Sequence, residues 1–327
     1  MVEQLSCADL GIEPELVLPI PEAPFPYLWF SGRVLPWEQP VVHVTTAGWP
    51  SIQAVFEGIR GYWNEEQGTL SIFRLPEHLD RFAASMKLMR MQPEITTSEL
   101  TDAFVDLCRA NAPAGDVYLQ PLAFLAGVRG GSGPVDSLTP EITITMRPNP
   151  SALLSGKSLR ACFSSWVRIS DDALPPRIKA LPNYANSRLA ANEARLGGYD
   201  VPIFLNRQGK VAESSGSCVF MVRNGAVVTP QATDSILESV TRATLLELVE
   251  RELGLPVRER PIDRTELYVA DEVFLCGTSM EVTPVTEIDG FTIGSGTMGT
   301  VTVRIERLYH DVVRGIDTRY IHWLTRT

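Results

Sequence analysis

Short apolar runs recur along this chain, some alternating with polar residues and some continuous, and turn signals close most of them. They lie on both sides of a stretch at 147–157 (RPNPSALLSGK) that concentrates proline, serine, asparagine and glycine. Runs of this length and punctuation are strands joined by tight connections, interspersed with a few amphipathic helical segments. The pattern restricts the chain to an α+β fold with a boundary at the loop-forming stretch. A doubly wound dinucleotide fold is disfavoured, because no G-x-G-x-x-G opens a helix anywhere.

Before the boundary, 27–44 reads as a hairpin around Gly32, and 55–73 as a strand pair turning near 64–68. Leu79, Phe82, Met86 and Met89 recur at helical spacing over 76–90, and Thr96 with Glu99 forms a capping box for a helix carrying Leu100, Phe104 and Leu107. Strands follow at 117–125 and 141–146, with a glycine-rich loop at 127–134 between them. After the boundary come a strand at 159–167, a helix at 186–196 stopped by Gly197-Gly198, and hairpins over 201–222. Asn224-Gly225 is a type I′ turn signal leading into 226–229. A helix at 241–253 ends at Gly254, and a buried strand at 273–276 precedes a turn at 277–280. The expected organisation is an extension at 1–26, a smaller domain at 27–147, an interdomain loop at 148–158 and a larger domain at 159–327.

The net charge is −10, from 39 acidic and 29 basic residues, so phosphate backbones and anionic membrane surfaces are poor partners. No stretch reaches the length of a transmembrane helix, and 1–26 lacks the pattern of a signal peptide. Five widely spaced cysteines (Cys7, Cys108, Cys162, Cys218, Cys276) without a C-x-x-C pair argue for a reducing, cytoplasmic setting. The histidines (His43, His78, His310, His322) show no H-x-x-x-H spacing, so no metal site is expected.

Chemistry that needs an amine must choose among four lysines. Lys157 lies in SGKS but lacks the glycine that would let the backbone wrap a phosphate, since Ser151 stands there. Lys210 sits in a polar turn, and Lys87 flanks a helix next to Met86. Lys179, in RIKALPNY, stands between apolar neighbours. Burial disfavours an ammonium, so its pKa is expected to fall toward neutrality, as a Schiff-base lysine requires. The plainer alternative is a partly buried strand lysine. Glu213 ends a strand before Ser214-Ser215-Gly216-Ser217, small residues that let a planar ring approach the backbone. A carboxylate about 4 Å from a ring nitrogen favours its protonated form by about 4 kcal/mol at an effective dielectric near 20. An exposed strand-end acid is the alternative. Anion donors are the helix start at Thr241, the turn 277–279 and Arg81, each of which also has an ordinary reading as a cap, a turn or a solvated charge.

Six segments then appear in one order: VFEGIRGY (55–62), PEHLDRF (76–82), KALPNY (179–184), NEARLGGYD (192–200), GKVAESSG (209–216) and ADEVFLCGTSMEVTPV (270–285). Together they resemble the branched-chain aminotransferases of the class IV, pyridoxal 5'-phosphate-dependent group, over nearly the whole chain. The resemblance implies an α+β fold of fold type IV, with a smaller N-terminal α/β domain and a larger C-terminal pseudo-barrel domain. It implies that Lys179 is the catalytic residue, holding the cofactor and moving a proton. Tyr184 would hydrogen-bond the cofactor phenolate oxygen, and Glu213 would partner its ring nitrogen. Arg81, Gly216, Leu237, Val240, Thr241 and Thr278 match further cofactor-binding positions. Phe56, Arg60, Tyr118, Gln120, Thr278 and Ser279 are the implied substrate-binding residues. The family is at least dimeric, and the loop at 126–134 would complete the partner's pocket.

Departures from that pattern gather on the substrate side. Ser51-Ile52 stands where the family has a tyrosine-glycine pair, and Met146 to Asn149 replaces an aromatic-rich stretch. Leu181-Pro182 and Glu238-Ser239 alter the cofactor side. Gln120 stands in place of an arginine for the distal carboxylate of glutamate. Losing that charge-assisted contact forfeits roughly 1.5–3 kcal/mol, which makes glutamate use doubtful unless Arg60 compensates. The resulting expectation is a cytoplasmic, homodimeric aminotransferase acting on a hydrophobic or aromatic amino acid and a 2-oxo acid. The alternatives are an (R)-amine or D-amino acid transaminase, an aminodeoxychorismate-lyase-like elimination, and a non-catalytic scaffold.

Overall fold

The computed structural model describes residues 22–40, 52–125 and 139–327. The loop at 126–134, Ser51 and the end of the hairpin expected at 27–44 lie outside the described residues.

The first half opens with β1 (Tyr27–Phe30) and β2 (Arg33–Pro36), reversed at Ser31-Gly32, where both φ angles are positive. The span 55–73 holds three strands rather than two: β3 (Val55–Phe56), β4 (Ile59–Asn64) and β5 (Thr69–Phe73). Helix α1 (Leu75–Leu88) and helix α2 (Thr97–Asn111) follow. Both reciprocal bonds of the capping box form between Thr96 and Glu99. Strands β6 (Val117–Phe124) and β7 (Glu141–Pro148) complete this half.

The second half contains β8 (Leu159–Val167), α3 (Asn183–Leu196), β9 (Val201–Leu205), β10 (Val211–Ser214), β11 (Cys218–Arg223) and β12 (Ala226–Thr229). Asn224 and Gly225 both have positive φ, 50° and 73°, as the type I′ turn requires. Then come α4 (Val240–Leu253), β13 (Val257–Glu259), α5 (Arg264–Tyr268), β14 (Glu272–Gly277), β15 (Glu281–Ile288) and β16 (Phe291–Thr292). Helix α6 (Thr300–Val313), a 3₁₀ turn (Thr318–Trp323) and β17 (Leu324–Arg326) end the chain.

Two sheets result. The first runs β17-β5-β4-β6-β7-β1-β2, with β3 paired to β6. Helices α1 and α2 cover one face, burying Leu79, Phe82, Met86, Phe104 and Leu107. Each such side chain contributes about 1.5–3 kcal/mol. Burial alternates along β6, so Val117 and Leu119 enter this core while Tyr118 and Gln120 point to the other face. In the second sheet, β10, β9, β8, β15, β14 and β11 pair in sequence, and β11 pairs back to β10. That closure makes a six-stranded barrel without free edges around the ring. Helices α4 and α6 pack against it through Leu245, Leu248, Ile305 and Tyr309.

The halves are tied together. β17 pairs with β5 of the first sheet, so the end of the chain returns to the N-terminal half. Arg314, after α6, clasps Asp116 with two bonds of 2.6 and 2.7 Å. The Arg60–Glu281 ion pair, 3.1 Å, is buried on both sides. The segment around Lys179 bridges to β3: Phe56 N–H donates to the Lys179 carbonyl at 2.9 Å, and Leu181 N–H to the Ala54 carbonyl at 2.9 Å. A cavity opens beneath that bridge.

Candidate active site

The cavity, about 220 Å³, lies between β3, the Lys179 segment, β10 and the β14–β15 turn. Asn183 sets the local chain path, because its amide donates to the carbonyls of Pro175 (3.0 Å) and Ile178 (2.9 Å). Helix α3 therefore starts at Asn183, three residues ahead of the span 186–196 expected from the pattern. Tyr184 falls in its first turn and faces back toward Lys179. The Lys179 Nζ donates to the Tyr184 hydroxyl at 2.7 Å and sits 4.7 Å from the Phe56 ring centroid. The Phe56 and Tyr184 rings meet edge-on at 4.8 Å.

The expected fall in the Lys179 pKa is not what this geometry produces. Burial pushes the ammonium down, but Tyr184, Glu57 and Tyr118 favour the charged form and together raise it above the ordinary lysine value. The apolar neighbours along the sequence gave no view of these partners from other elements.

Glu213 faces the cavity from β10. Its Oε1 accepts from Arg168 Nε at 2.9 Å and lies 2.8 Å from Nη2, while Oε2 accepts from the Leu237 N–H at 3.2 Å. Arg168 is held in turn by Asn186 Oδ1 at 3.2 Å. Gly216, Leu237, Thr278 and Ser279 line the same cavity. Gly277 packs closely against the opposite strand end, since a Cβ there would stand 3.2 Å from the Gly216 carbonyl oxygen. Ser217 Oγ is buried in the wall without a hydrogen-bond partner among the described residues. Cys218 and Cys276 are register partners whose side chains also line it, and burial raises the Cys276 thiol above its ordinary value.

Arg81 reaches the cavity from α1. It grips Glu57 with Nε to Oε1 at 2.7 Å and Nη2 to Oε2 at 2.8 Å, and Nη1 donates to the Glu238 carbonyl at 2.8 Å. His78, one turn earlier on α1, meets Glu57 Oε2 at 2.9 Å. Burial alone would raise the Glu57 carboxyl, but Arg81 and His78 outweigh it and hold it far below the usual carboxylate range. Three of the five N–H donors of Arg81 are thereby engaged, leaving two for an anion. Ser239, the N-cap of α4, lines the cavity, and Val240 and Thr241 follow as the buried first two residues of the helix.

A scan of family models matches residues 54–288 to "Amino-transferase class IV". The chain belongs to the class IV aminotransferases. It is 40% identical over 299 residues to a probable branched-chain-amino-acid aminotransferase of Aquifex aeolicus, covering 91% of this chain and 96% of that one. It resembles the solved branched-chain amino acid aminotransferase of Thermobaculum terrenum in PLP-form at 51% identity and TM-score 0.90, covering 92% and 98% of the two chains. It also resembles the solved branched-chain aminotransferase of the thermophilic archaeon Thermoproteus uzoniensis with norvaline at 38% identity and TM-score 0.86, covering 92% and 98%.

Within this class IV aminotransferase the structure brings together Phe56, Arg81, Tyr118, Lys179, Tyr184, Glu213, Gly216, Leu237, Thr278 and Ser279. Arg60 does not line this cavity: its guanidinium pairs with Glu281 at 3.1 Å and donates to the Pro150 carbonyl at 3.3 Å. Gln120 lies outside the cavity too, in a neighbouring one that shares Phe56, Tyr184 and Ser215 with it. Sequence reasoning assigned no role to Glu57, His78 or Arg168, and read Ser217 only as a small residue that leaves room for a ring. Glu57 and His78 sit inside segments that carried the resemblance, and the i, i+3 spacing of His78 and Arg81 was a usable signal for a shared partner. Arg168 has no such signal, since its partner lies 45 residues on.

Proposed function

We propose that the chain is a pyridoxal 5'-phosphate-dependent aminotransferase that moves an amino group between a branched-chain amino acid and a 2-oxo acid. The observation that carries this reading is the Lys179 Nζ at 2.7 Å from the Tyr184 hydroxyl, in a cavity whose wall also holds the Glu213 carboxylate. The donor set fits the cofactor. Lys179 supplies the amine, Tyr184 a hydroxyl for a phenolic oxygen, Glu213 an anion for a ring nitrogen, and Arg81 with Ser239 and the start of α4 donors for a phosphate. Ser217 Oγ, buried and unpartnered among the described residues, adds one more polar group toward a ligand.

The bound cofactor would act as an electron sink for the carbon that loses its proton. The protein's own part is positional. Arg168 fixes Glu213 from behind, and the Leu237 N–H fixes its second oxygen. Lys179 would hold the cofactor through its amine and would be the group that moves a proton at the reacting carbon, with the Tyr184 hydroxyl, 2.7 Å from Nζ, orienting it. The N–H groups of the Thr278–Ser279 turn support a substrate carboxylate, while Phe56 and Tyr118 provide an apolar and aromatic wall.

The reading extends to a homodimer in the cytoplasm, organised as domains 27–147 and 159–327 joined by 148–158. No helix among the described residues is long and apolar enough to cross a membrane. Light scattering tests the dimer. The activity is tested by adding cofactor to purified protein, following its visible absorption, and assaying leucine, isoleucine and valine with 2-oxo acid acceptors. Lys179→Ala is expected to abolish both the absorption and turnover. Protein that neither takes up the cofactor nor transaminates any of the three amino acids overturns the reading. Product analysis separates an elimination, which releases its 2-oxo acid without an amino acceptor.

A further inference from the structure

Cys218 on β11 and Cys276 on β14 stand directly opposite each other in an antiparallel pair, and both line the Lys179 cavity. Opposed register positions share one sheet face, with Cβ atoms about 4.5–5.5 Å apart. The next pair on that face shows the same closeness: Phe220 and Phe274 stack at 5.0 Å, and all four side chains belong to the core under α4 and α6. A disulfide needs Cβ atoms about 3.5–4.5 Å apart, so the two sulfurs can join through a local shift of about 1 Å without any change of register. Both thiols are free. Cys108 lies on α2 and Cys162 opposes Pro202, so neither has a cysteine across from it. The aminotransferase reading gives Cys218 and Cys276 no part.

We propose that Cys218 and Cys276 are a modification site: under peroxide they close to a reversible disulfide that deforms the cavity wall and weakens its hold on the cofactor. Cys218 is 3% exposed and Cys276 0%, so peroxide entering the cavity meets Cys218 first. Burial keeps the Cys276 thiol protonated, which suits it to the second step and not the first. In the first step the Cys218 sulfur attacks one peroxide oxygen, the O–O bond breaks, and the thiol proton leaves with the departing hydroxide as water. In the second the Cys276 sulfur attacks the resulting sulfenic sulfur, the S–O bond breaks, and the hydroxyl leaves with the Cys276 proton as a second water. Two thiols lose two electrons, and one peroxide is reduced to two waters. Exchange with a thiol reductant reopens the bond. The effect on the cavity follows from what flanks each cysteine. Ser217 precedes Cys218, and Gly277, Thr278 and Ser279 follow Cys276, all in the cavity wall. That end of the two strands has little slack, because the Gly216 carbonyl already lies close to the Gly277 backbone. Drawing the strands together there displaces wall residues on both sides.

The test treats the full chain, with and without added pyridoxal 5'-phosphate, with hydrogen peroxide, then blocks free thiols and digests it. Mass spectrometry should find a peptide linked through Cys218 and Cys276 that dithiothreitol separates. Cofactor affinity, followed by visible absorption, should fall about tenfold or more on oxidation, the size of one lost charge-assisted contact, and recover on reduction. Cys276→Ser and Cys218→Ser, each compared with its own untreated state, should show neither the linked peptide nor the reversible fall. Absence of the linked peptide from the wild type overturns the proposal, and this holds even where the variants fail to fold. So does a linkage through Cys7, Cys108 or Cys162 instead, an oxidised wild type that keeps its cofactor affinity, or a reversible fall that persists in both variants. The loss of cofactor rests on the aminotransferase reading, whereas the linked peptide does not. Reduced protein that takes up no cofactor yet forms the linked peptide upholds the disulfide and sinks that reading alone.

Discussion

Arg168 meets Glu213 side-on, with Nε and Nη2 both falling on Oε1 at 2.9 and 2.8 Å, and each side chain is about 6% exposed. The pairing puts a charged partner behind the carboxylate, so its remaining surface is turned into the cavity. Removing the guanidinium strands a buried carboxylate, which typically costs about 3–5 kcal/mol. Arg168→Met should therefore lower the urea midpoint sharply and weaken cofactor retention. Glu213→Gln in the same background should restore much of the stability while leaving activity low. Additive losses in the double variant would show that the two side chains are not energetically coupled.

The Glu57–His78–Arg81 cluster makes a prediction about acid. Burial holds the His78 imidazolium below its ordinary value despite the neighbouring Glu57, and the Glu57 carboxyl is itself depressed. A depressed folded pKa stabilises the protein above the unfolded value and loses that stabilisation as pH falls. For His78 the loss begins below about pH 6.5. For Glu57 it begins lower, in the carboxylate range. The urea midpoint should fall between pH 7.5 and 5.5, and His78→Gln should flatten that fall. An equal slope in the variant would place the titrating group elsewhere.

What could be read from the chain in advance was local chemistry. The capping box at Thr96, the turn at Asn224-Gly225 and the lysine–tyrosine spacing of 179 and 184 each depend on residues within five positions of one another. The partners of Arg60 and Arg168, and the groups that set the ionisation of Lys179, fall outside that range. The partner of Arg60 is 221 residues away, so its environment depends on how the barrel meets the first sheet. The ionisation of Lys179 depends on Glu57 and Tyr118 from other elements, which reverse the direction that burial alone would set. β17 likewise joins the first sheet although the chain order places it in the second half, because the 3₁₀ turn before it carries the chain end back to β5.

Gly58 supports Tyr118 by having no side chain. A Cβ built there would lie 1.8 Å from the Tyr118 hydroxyl oxygen and 2.7 Å from Cζ, so the ring would have to move. Overpacking of this kind costs about 1–3 kcal/mol. Gly58→Ala should reduce kcat/KM by displacing a wall residue of the cavity, with little change in far-ultraviolet circular dichroism. Placed on Tyr118→Ala, the same substitution should do almost no further harm. A full additional loss there would mean that Gly58 is needed for its backbone and not for the space it leaves.

Glu281 gathers four donors in the interior: Arg60 Nη1 at 3.1 Å, the Tyr62 hydroxyl at 3.0 Å, Ser151 Oγ at 2.7 Å and the Ala152 N–H at 2.8 Å. It does so with φ of +54°, a left-handed conformation that a glutamate adopts only when its surroundings hold it there. The residue also ends the turn that presents Thr278 and Ser279 to the cavity. Arg60→Met leaves this carboxylate short of its charged partner and should cost about 3–5 kcal/mol in urea unfolding. The turn would loosen with it, so KM should rise alike for dicarboxylic and monocarboxylic substrates. A substrate-binding arginine behaves in the opposite way, raising KM for the dicarboxylate alone and leaving the unfolding midpoint where it was. Measuring both quantities on one variant decides whether Arg60 is a brace or a ligand, and the buried ion pair with Glu281 is the reason to expect the first outcome.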